Sequence, residues 1–563
     1  MASGLPLLDL VWSEYWINRS WDVGSLLVVV LLAVAWGGAS VVALRVLRWA
    51  WWTPRRLERV LRQQGIGGNP YQLLVGDMRD LMRLNKEARS RPMPAISHDI
   101  APRVYPLLQQ SMAKHGKICY TWFGPYPRVI VRNLDMIRDI LSNKFAHFEK
   151  PKVNPLGDLL VTGLVAYEGD KWAKRRRIIN PAFHVEKLKR MLPAFSTCCA
   201  ELIARWENLV GPNGSYELDV WPELQIFTGD VISRTAFGSS FEEGRRIFQL
   251  QVELADLLIQ GLQNIFIPGS IKHIHDSVTC KHSFFSKTMP YCRFFPTKRN
   301  RRMKEIAKEV RGLLRNMIMK REEAMKLEIT PNDDLLSLLL ESNLKYYKEN
   351  GTVEKFKMTI EDVIEECKLF YFAGQETTSV LLTWTMVVLS VHPSWQASAR
   401  EEVLQVFGKA KPDFDSLSQL KVVTMILYEV LRLYPPATFL LRTTYKTMKL
   451  GGFTFPSGVH FLLPILSIHH DPMLWGADAN EFNPQRFAEG VSKASKHQMA
   501  FIPFSSGPRI CIGQNFAMAE AKLGLATILQ HFIFELAPSY RHAPYTVITL
   551  QPQHGAQLIL HKL

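Results

Sequence analysis

The stretch FSSGPRICIG, residues 504–513, places one cysteine between an arginine and a glycine near the C-terminal end of the chain. Gly507 and Gly513 allow the backbone to turn closely around Cys511. The segment GQNFAMAEAKLGLATILQHF (513–532) predicts an amphipathic helix, and its positive N-terminal end would stabilise a thiolate. A lone intracellular cysteine is usually a small buried hydrophobic residue. This loop is instead the kind that a metal-ligating thiolate requires, so Cys511 is a candidate metal ligand.

A second decisive stretch, residues 359–391, has helical spacing throughout. Thr359 is a candidate N-cap with Asp362 at the capping-box distance, and Pro393 follows the end. Such a helix would be about 50 Å long, because each residue adds about 1.5 Å. A helix of that length in a folded body must run through its centre.

The middle of this predicted helix reads AGQETT (373–378), with small and hydroxyl residues where a core helix usually carries leucine. One interpretation is close packing of another helix at Gly374. The other is that the small residues leave room for a flat ligand, with the Glu376 carboxylate and the Thr377 hydroxyl facing it.

The composition is that of an ordinary globular protein, with 47% hydrophobic and 21% charged residues in 563. Helical periodicity dominates, and strand-like alternation occurs at 119–133 and 451–465. These patterns predict a mainly α fold with a small β region. The net charge of +16 fits a nucleic acid, an anionic membrane or an acidic protein partner. No nucleic-acid-binding motif is present, so no nucleic-acid partner is expected. Seven scattered cysteines suit a reducing compartment.

The N-terminal region predicts a single-pass membrane anchor. Residues 24–44 contain no charged side chain and are long enough to span a bilayer as a helix. The flank before this span is acidic rather than basic, which argues against a cleaved signal peptide. Six arginines follow the span between residues 45 and 62, so the N-terminus is expected in the lumen and the body in the cytosol. Thr53-Pro54 is expected to end the anchor with a stiff hinge.

The pattern around Cys511 resembles the haem-binding loop of the cytochrome P450 monooxygenases. Four further motifs are similar to landmarks of that family and occur in the family's order. They are the oxygen-activating segment at 373–378, the Glu-x-x-Arg helix at 429–432, the downstream arginine in FNPQRF at 482–487, and the Trp-x-x-x-Arg helix at 172–176. The resemblance covers essentially the whole chain after the anchor.

The resemblance implies a cytochrome P450 fold with an N-terminal transmembrane helix, and haem b as cofactor with Cys511 as axial ligand of its iron. The implied domains are an N-terminal lumenal segment and anchor at 1–48, a basic Pro/Gly-rich hinge at 49–70 and a catalytic domain at 71–563. The implied haem-binding residues are Trp172, Arg176, Arg442, Phe504, Arg509, Cys511 and Gly513.

The remaining site residues also follow from the resemblance. Glu376 and Thr377 are the implied catalytic pair, which delivers protons to dioxygen. Glu429 and Arg432, three residues apart on one helix face, can both meet Arg486 and form a structural triad. On the Trp-x-x-x-Arg helix, Lys174, Arg175 and Arg177 are expected to form a solvated basic face. The expected substrate-pocket residues are Phe372, Ala373, Ala437, Thr438 and Phe439.

The implied reaction is hydroxylation of a hydrophobic small molecule with dioxygen. No flavin-domain or dinucleotide fingerprint occurs, so electrons would come from NADPH through the membrane-bound cytochrome P450 reductase. The basic face from Lys171 to Arg177 is a candidate docking surface, and the endoplasmic reticulum membrane is the expected location. The alternatives are a haem-thiolate isomerase or dehydratase that does not need dioxygen, and a non-catalytic membrane scaffold.

Two further features bear on specificity. The runs at 382–396, 482–490 and 550–563 resemble the plant subfamily that includes secologanin synthase and several triterpenoid and gibberellin oxidases, which implies a terpenoid substrate of triterpenoid, gibberellin or iridoid type. Residues 270–292 interrupt the family's pattern. The histidines and cysteines of this insertion match no structural zinc spacing, so a lengthened loop is favoured, and an unspliced insertion is the alternative.

Overall fold

The computed structural model describes residues 23–143, 147–151, 156–239, 241–262, 298–327, 334–341 and 358–563. The insertion at 270–292 and the acidic N-terminal flank before residue 23 lie outside the described residues. The chain divides into two units, Met1–Arg56 and Leu57–Leu563.

The first unit contains an apolar helix, α1 (Val23–Leu47), followed by a π-helical segment, Arg48–Trp52. The helix is long and apolar enough to cross a membrane, and most of its described side chains are exposed, so the predicted apolar N-terminal helix is confirmed and fits a membrane anchor. The backbone remains helical at Thr53-Pro54, which differs from the predicted break. The π segment explains the difference, because its wider turn, closed by the bond from the Thr53 N–H to the Arg48 carbonyl, leaves room for the proline ring.

The rest of the chain is mostly helical, as predicted. The helices are α2 (Thr53–Gln63), α3 (Met78–Arg89), α4 (Ala101–Val104), α5 (Pro106–His115), α6 (Leu134–Ser142), α7 (Gly157–Leu160), α8 (Gly169–Ile179), α9 (Val185–Val210), α10 (Val220–Phe237), α11 (Phe241–Leu262), α12 (Lys298–Lys326), α13 (Ile360–Val391), α14 (Pro393–Phe407), α15 (Lys421–Leu433), α16 (Ile465–His469), α17 (Pro472–Trp475) and α18 (Gln514–His531). Residues 335–341 are also helical.

In the part of the chain that the structure describes, the strands form one larger sheet and three small ones. They are β1 (Gly67–Gly68), β2 (Ile118–Phe123), β3 (Tyr126–Val131), β4 (Phe148–Glu149), β5 (Ser215–Asp219), β6 (Leu440–Thr444), β7 (Met448–Leu450), β8 (Phe453–Phe455), β9 (His460–Leu463), β10 (Phe532–Leu536), β11 (Pro544–Thr546), β12 (Leu550–Pro552) and β13 (Gln557–Lys562). The sheets have the orders β1-β2-β3-β9-β6-β4, β10-β13-β5, β11-β12 and β7-β8.

The two strand-like stretches have different outcomes. The stretch at 119–133 forms the antiparallel hairpin β2–β3, as predicted. The stretch at 451–465 contains two strands, but they do not pair with each other: β8 pairs with β7, while β9 pairs with β3 and β6. Alternation in a sequence marks a strand without choosing its partner, which long-range packing decides.

Helix α13 is the centre of the larger apolar core, and α18, with Gly513 as its N-cap, lies in the same core. The capping box predicted at Thr359 and Asp362 is present, so the start of α13 is confirmed. Its neighbour α10 packs very closely, because Thr228 donates a hydrogen bond to the carbonyl of Gln375 at 2.9 Å. A second apolar cluster packs the six-stranded sheet against α6 and the short helices α16 and α17.

Gly374 lies at the closest approach of α10 and α13. A Cβ atom at this position would lie 2.7 Å from Cγ1 and 2.8 Å from Cδ1 of Ile232. The close-packing interpretation of Gly374 is therefore the one that the structure supports. The space for a ligand must come from other residues of the segment.

We expect Gly374→Ala to lower the free energy of unfolding by about 1–3 kcal/mol, because overpacking a buried contact outweighs the higher helix propensity of alanine. Chemical denaturation of the folded protein would measure this change. Gly374→Ala should cost less free energy of unfolding in an Ile232→Ala background than in the wild-type protein, because the two nearest side-chain atoms are then gone. The same penalty in both backgrounds would contradict the steric explanation.

Candidate haem-binding and catalytic site

The loop that carries Cys511 is held by backbone contacts. The Cys511 N–H donates to the carbonyl of Phe504 at 2.9 Å, which closes the loop. Gly507 has a φ of 71°, and a Cβ atom there would lie 2.5 Å from the Leu141 carbonyl oxygen at the end of α6. Only glycine fits such a position. Phe504 packs its ring against the main core, so the direction of the loop is fixed on both sides.

Cys511 differs from the other cysteines that the structure describes, because the other four are buried and Cys511 is exposed. Burial nevertheless raises the pKa of its thiol, while the Gly513 N–H and the charge of Arg176 lower it. The sequence predicts that the loop and helix α18 stabilise the thiolate, but burial has the larger effect on the pKa of the thiol. The Cys511 side chain remains accessible although protein surrounds it.

Helix α13 also has one accessible face. Between Val363 and Leu389 most of its side chains are buried, but Glu365, Leu369, Phe372, Ala373 and Thr377 are partly exposed. Their spacing of three and four residues places them on one side of the helix. Phe183 connects this helix to the cysteine loop, since its ring lies 5.9 Å from that of Phe370 and about 4 Å from the Cβ position of Gly513.

A cluster of cationic side chains lies beside the cysteine loop. Arg509 pairs with Glu168 and stacks over the ring of Trp172, with its guanidinium carbon 4.5 Å from the ring centre. Arg442 is buried, and burial followed by repulsion from Arg509 lowers its pKa to about 10. Lys150 was not predicted to belong to this cationic cluster. Burial and then repulsion from Arg442 and Arg509 lower its pKa to about 7, and only Glu168 opposes this.

The charges of this cluster do not balance. Lys150, Arg442 and Arg509 share the carboxylate of Glu168, and Glu149 adds an attraction that acts on Arg509. Buried cations in excess of carboxylates are costly unless a further anion binds among them. Arg176 lies nearest to the cysteine, where its guanidinium donates to the Ile510 carbonyl at 2.9 Å.

These observations test whether a haem fits. Among the described residues no group of three or more His, Cys, Asp or Glu side chains could hold a metal ion. A porphyrin supplies four ligands of its own beside the one sulfur of Cys511, has a flat apolar surface for the open face of α13, and carries two carboxylates for the excess of cations. The residues present therefore fit an iron porphyrin.

The structure places the two predicted proton-delivery residues in different environments. The Thr377 hydroxyl donates to the Ala373 carbonyl at 2.8 Å and is partly exposed. Glu376 is buried, and its Oε1 accepts hydrogen bonds from Thr549 and from the amide of Gln551. Neither of these partners was predicted, because both are distant in sequence.

The predicted triad is brought together. Arg432 and Glu429 are fully buried and form a two-pronged ion pair, with contacts of 2.8 and 2.6 Å. Arg486 approaches Glu429 at 3.4 Å and also pairs with Asp478, a partner that the sequence motif does not contain. The remaining donors of Arg432 are satisfied by the carbonyls of His469, Ala479 and Glu481. Complete hydrogen bonding is what makes such a buried pair tolerable.

The predicted substrate-pocket residues divide into two groups. Phe372, Ala373, Ala437 and Phe439 are partly exposed. Thr438 is buried and hydrogen-bonded to the hydroxyl of Tyr105, whose ring lies 5.8 Å from that of Phe439. Thr438 is therefore directed to Tyr105.

One prediction about the basic face of α8 was wrong. Arg175 is buried and pairs with Asp362 at 2.6 Å, instead of being solvated with Lys174 and Arg177. Asp362 is also the capping-box residue of α13. A carboxylate contributed by a helix that is distant in sequence explains why this residue could not be distinguished from its basic neighbours.

This chain is similar to known proteins over most of its length. The family model described as Cytochrome P450 matches residues 97–559. Cytochrome P450 CYP72A616 from Paris polyphylla is 61% identical over 541 residues, which cover 96% of this chain and 99% of that protein. Cytochrome P450 CYP72A219 from Panax ginseng is 53% identical, covering 95% and 97% of the two chains. Secologanin synthase 1 from Catharanthus roseus is 48% identical, covering 94% and 96%.

We expect haem retention to weaken as the pH rises from 7 to 9, because Lys150 loses its proton in this range and only the ammonium form attracts the haem carboxylates. The rate of haem transfer from this protein to apomyoglobin measures this loss. If one proton is linked to haem binding, the rate should rise by at most about tenfold per pH unit. Lys150→Met should flatten this dependence.

Lys449→Met is the matched control, since Lys449 is exposed on β7. It should retain the wild-type pH profile. An unchanged profile in Lys150→Met would rule out Lys150 as the linked group.

Proposed function

Because this chain belongs to the cytochrome P450 family, and is therefore a haem-dependent monooxygenase, we propose that it hydroxylates a terpenoid at a membrane surface. The observation that carries this proposal is the accessible Cys511 in a loop that Phe183 links to α13, the helix with the open face. The relatives include a protein named for the synthesis of secologanin, which supports the terpenoid class.

Cys511 is the proposed axial ligand of the haem iron, and Trp172, Arg176, Arg442 and Arg509 are the proposed partners of its carboxylates. When bound, a thiolate-ligated haem would activate dioxygen with two electrons and two protons, so that one oxygen atom enters a substrate C–H bond and the other leaves as water. We add Lys150 to this set of partners, because its pKa responds to Arg442 and Arg509.

Glu376 and Thr377 are the proposed proton-delivery pair. The Thr377 hydroxyl uses its hydrogen to bond the Ala373 carbonyl, so its oxygen remains able to accept a hydrogen bond from another group. Glu376 is the adjacent group on the same helix that can hold and release a proton. A pair of this kind supplies protons while the surrounding buried residues exclude bulk water.

The proposed substrate is hydrophobic. The accessible side chains on α13 are Leu369, Phe372 and Ala373, and Ala437 and Phe439 are accessible in the segment that leads into β6. Apolar linings with few polar groups suit an apolar skeleton. A triterpenoid, gibberellin or iridoid skeleton is the proposed class.

Electrons are proposed to come from NADPH through cytochrome P450 reductase. Its docking would use the side chains of α8 that remain at the surface, chiefly Lys171 and Arg177, with Arg175 excluded by its burial. The apolar helix α1 is the proposed anchor in the endoplasmic reticulum membrane, with the N-terminus in the lumen. The arginines after the span support this orientation.

The first test of the proposed function concerns Cys511. Cys511→Ala should abolish the strongly red-shifted carbon-monoxide difference band, which requires a thiolate-ligated ferrous haem. The full-length protein in microsomes is the sample to compare with wild type. Persistence of the band in the variant would show that another side chain holds the iron.

The second test concerns Thr377. Thr377→Ala should retain the carbon-monoxide band and lower the yield of product per NADPH, with the difference released as hydrogen peroxide. The expected loss is on the order of a hundredfold or more in product formation, the usual contribution of a general acid–base group. An unchanged product yield would contradict the proton-delivery role.

The substrate class is tested by microsomal expression with a plant reductase and a panel of terpenoids. Hydroxylated products should appear only with NADPH and dioxygen. Products that form without NADPH would instead indicate an isomerase or dehydratase.

A further inference from the structure

The hairpin β11–β12 contacts α13 at Glu376. Oε1 of Glu376 accepts a hydrogen bond from the Thr549 hydroxyl at 2.5 Å and a second, short one from Nε2 of Gln551. Glu376 is 7% exposed and Thr549 is 4% exposed, so these bonds lie away from bulk water. Charge-assisted hydrogen bonds in such surroundings are among the stronger ones in proteins.

The backbone of the hairpin is fixed where these side chains arise. Leu550 lies between them, and its N–H donates to the Pro436 carbonyl at 3.1 Å. Its carbonyl accepts a hydrogen bond from the indole of Trp384 at 2.7 Å, and Trp384 belongs to α13 as Glu376 does. Thr549 lies in the bend just before this strand residue, and Gln551 follows it in β12. Helix α13 therefore holds the hairpin in the position from which both donors reach Glu376.

The amide of Gln551 is also oriented. Its Oε1 accepts from the Tyr545 hydroxyl at 3.5 Å on the paired strand, which directs Nε2 toward the carboxylate. Nε2 also lies 3.4 Å from the Thr549 hydroxyl oxygen. The Thr549 hydroxyl and the Gln551 amide therefore lie close to each other and bind the same oxygen, Oε1 of Glu376.

This arrangement determines which oxygen of Glu376 can carry a proton. Oε1 already accepts two donated hydrogens, and a proton on that oxygen would face both of them. Among the described residues no donor is hydrogen-bonded to Oε2. A proton held by Glu376 therefore lies on Oε2.

We propose that Thr549 and Gln551 are positioning residues that hold Glu376 by Oε1 and leave Oε2 to take up and release the proton. This inference rests on the proposed function, in which Glu376 delivers protons. It adds the C-terminal hairpin to the parts of the chain that set the rate of that step. The alternative is that the two bonds only fasten the hairpin to the core.

The test uses Thr549→Val and Gln551→Leu, which remove one donor each at similar size, alongside Glu376→Gln. The carboxylate infrared band of Glu376 is identified as the band lost in Glu376→Gln. We expect this band to shift in both single variants. We also expect NADPH oxidation, measured with reductase and without added substrate, to slow by on the order of tenfold and its solvent deuterium isotope effect to change, as displacement of a catalytic group does.

Thr385→Val is the matched control. Thr385 is buried on the same helix and donates only to the Leu381 carbonyl at 2.7 Å. It should leave the band, the rate and the isotope effect unchanged. Thermal unfolding of every variant separates loss of the fold from loss of positioning.

The two proposals fail differently. An unshifted band with wild-type rate and isotope effect in Thr549→Val and Gln551→Leu, when Glu376→Gln alters them, overturns the positioning role and leaves the proposed function intact. Wild-type rate and isotope effect in Glu376→Gln itself overturn the proton-delivery role. In that case, a shifted carboxylate band in Thr549→Val and Gln551→Leu would still support the proposal that Thr549 and Gln551 hold Glu376 by Oε1.

Discussion

The close packing of α13 is the constraint on which the rest of the structure depends. A helix of 32 residues with buried side chains along most of its length leaves little freedom for the elements around it. Because Gly374 has no side chain, α10 approaches α13 so closely that a Cβ atom at this position would overlap with Ile232. Gly374 lies three residues before Thr377 and is itself partly exposed, so the closest contact with α10 borders the accessible residues Leu369, Ala373 and Thr377.

Charge is the second constraint, and its balance differs between the core and the region beside the cysteine loop. Arg432 and Glu429 neutralise each other in the core, and every donor of the guanidinium finds an acceptor. Beside the cysteine loop the pattern is opposite, since Lys150, Arg442 and Arg509 repel each other and Glu168 alone attracts all three. A fully satisfied buried pair maintains the scaffold, whereas an unsatisfied cluster is a place where a ligand contributes to stability.

The sequence was a reliable guide wherever a local rule determines the outcome. The start of α13 was predicted from Thr359 and Asp362, because a capping box joins residues three positions apart. Gly374 had two interpretations, close helix packing and space for a ligand. The neighbouring Ile232 decides between them, and no local sequence pattern identifies this neighbour. Arg175, Lys150 and Gln551 were misjudged or missed for the same reason, since the role of each depends on Asp362, Arg442 or Glu376, far away in the chain. The order of the motifs indicated which residues belong to the candidate site. Contacts between residues distant in sequence decide the role of each one.

Asp362 has a consequence for anyone who redesigns this chain. One carboxylate caps the first turn of α13 and binds Arg175 of α8. The two duties have different chemical requirements, because a cap needs only an acceptor oxygen and an ion pair needs a full negative charge. Asparagine at this position satisfies the first and not the second. It is therefore a substitution by which an engineer can detach α8 from the central helix while keeping that helix intact.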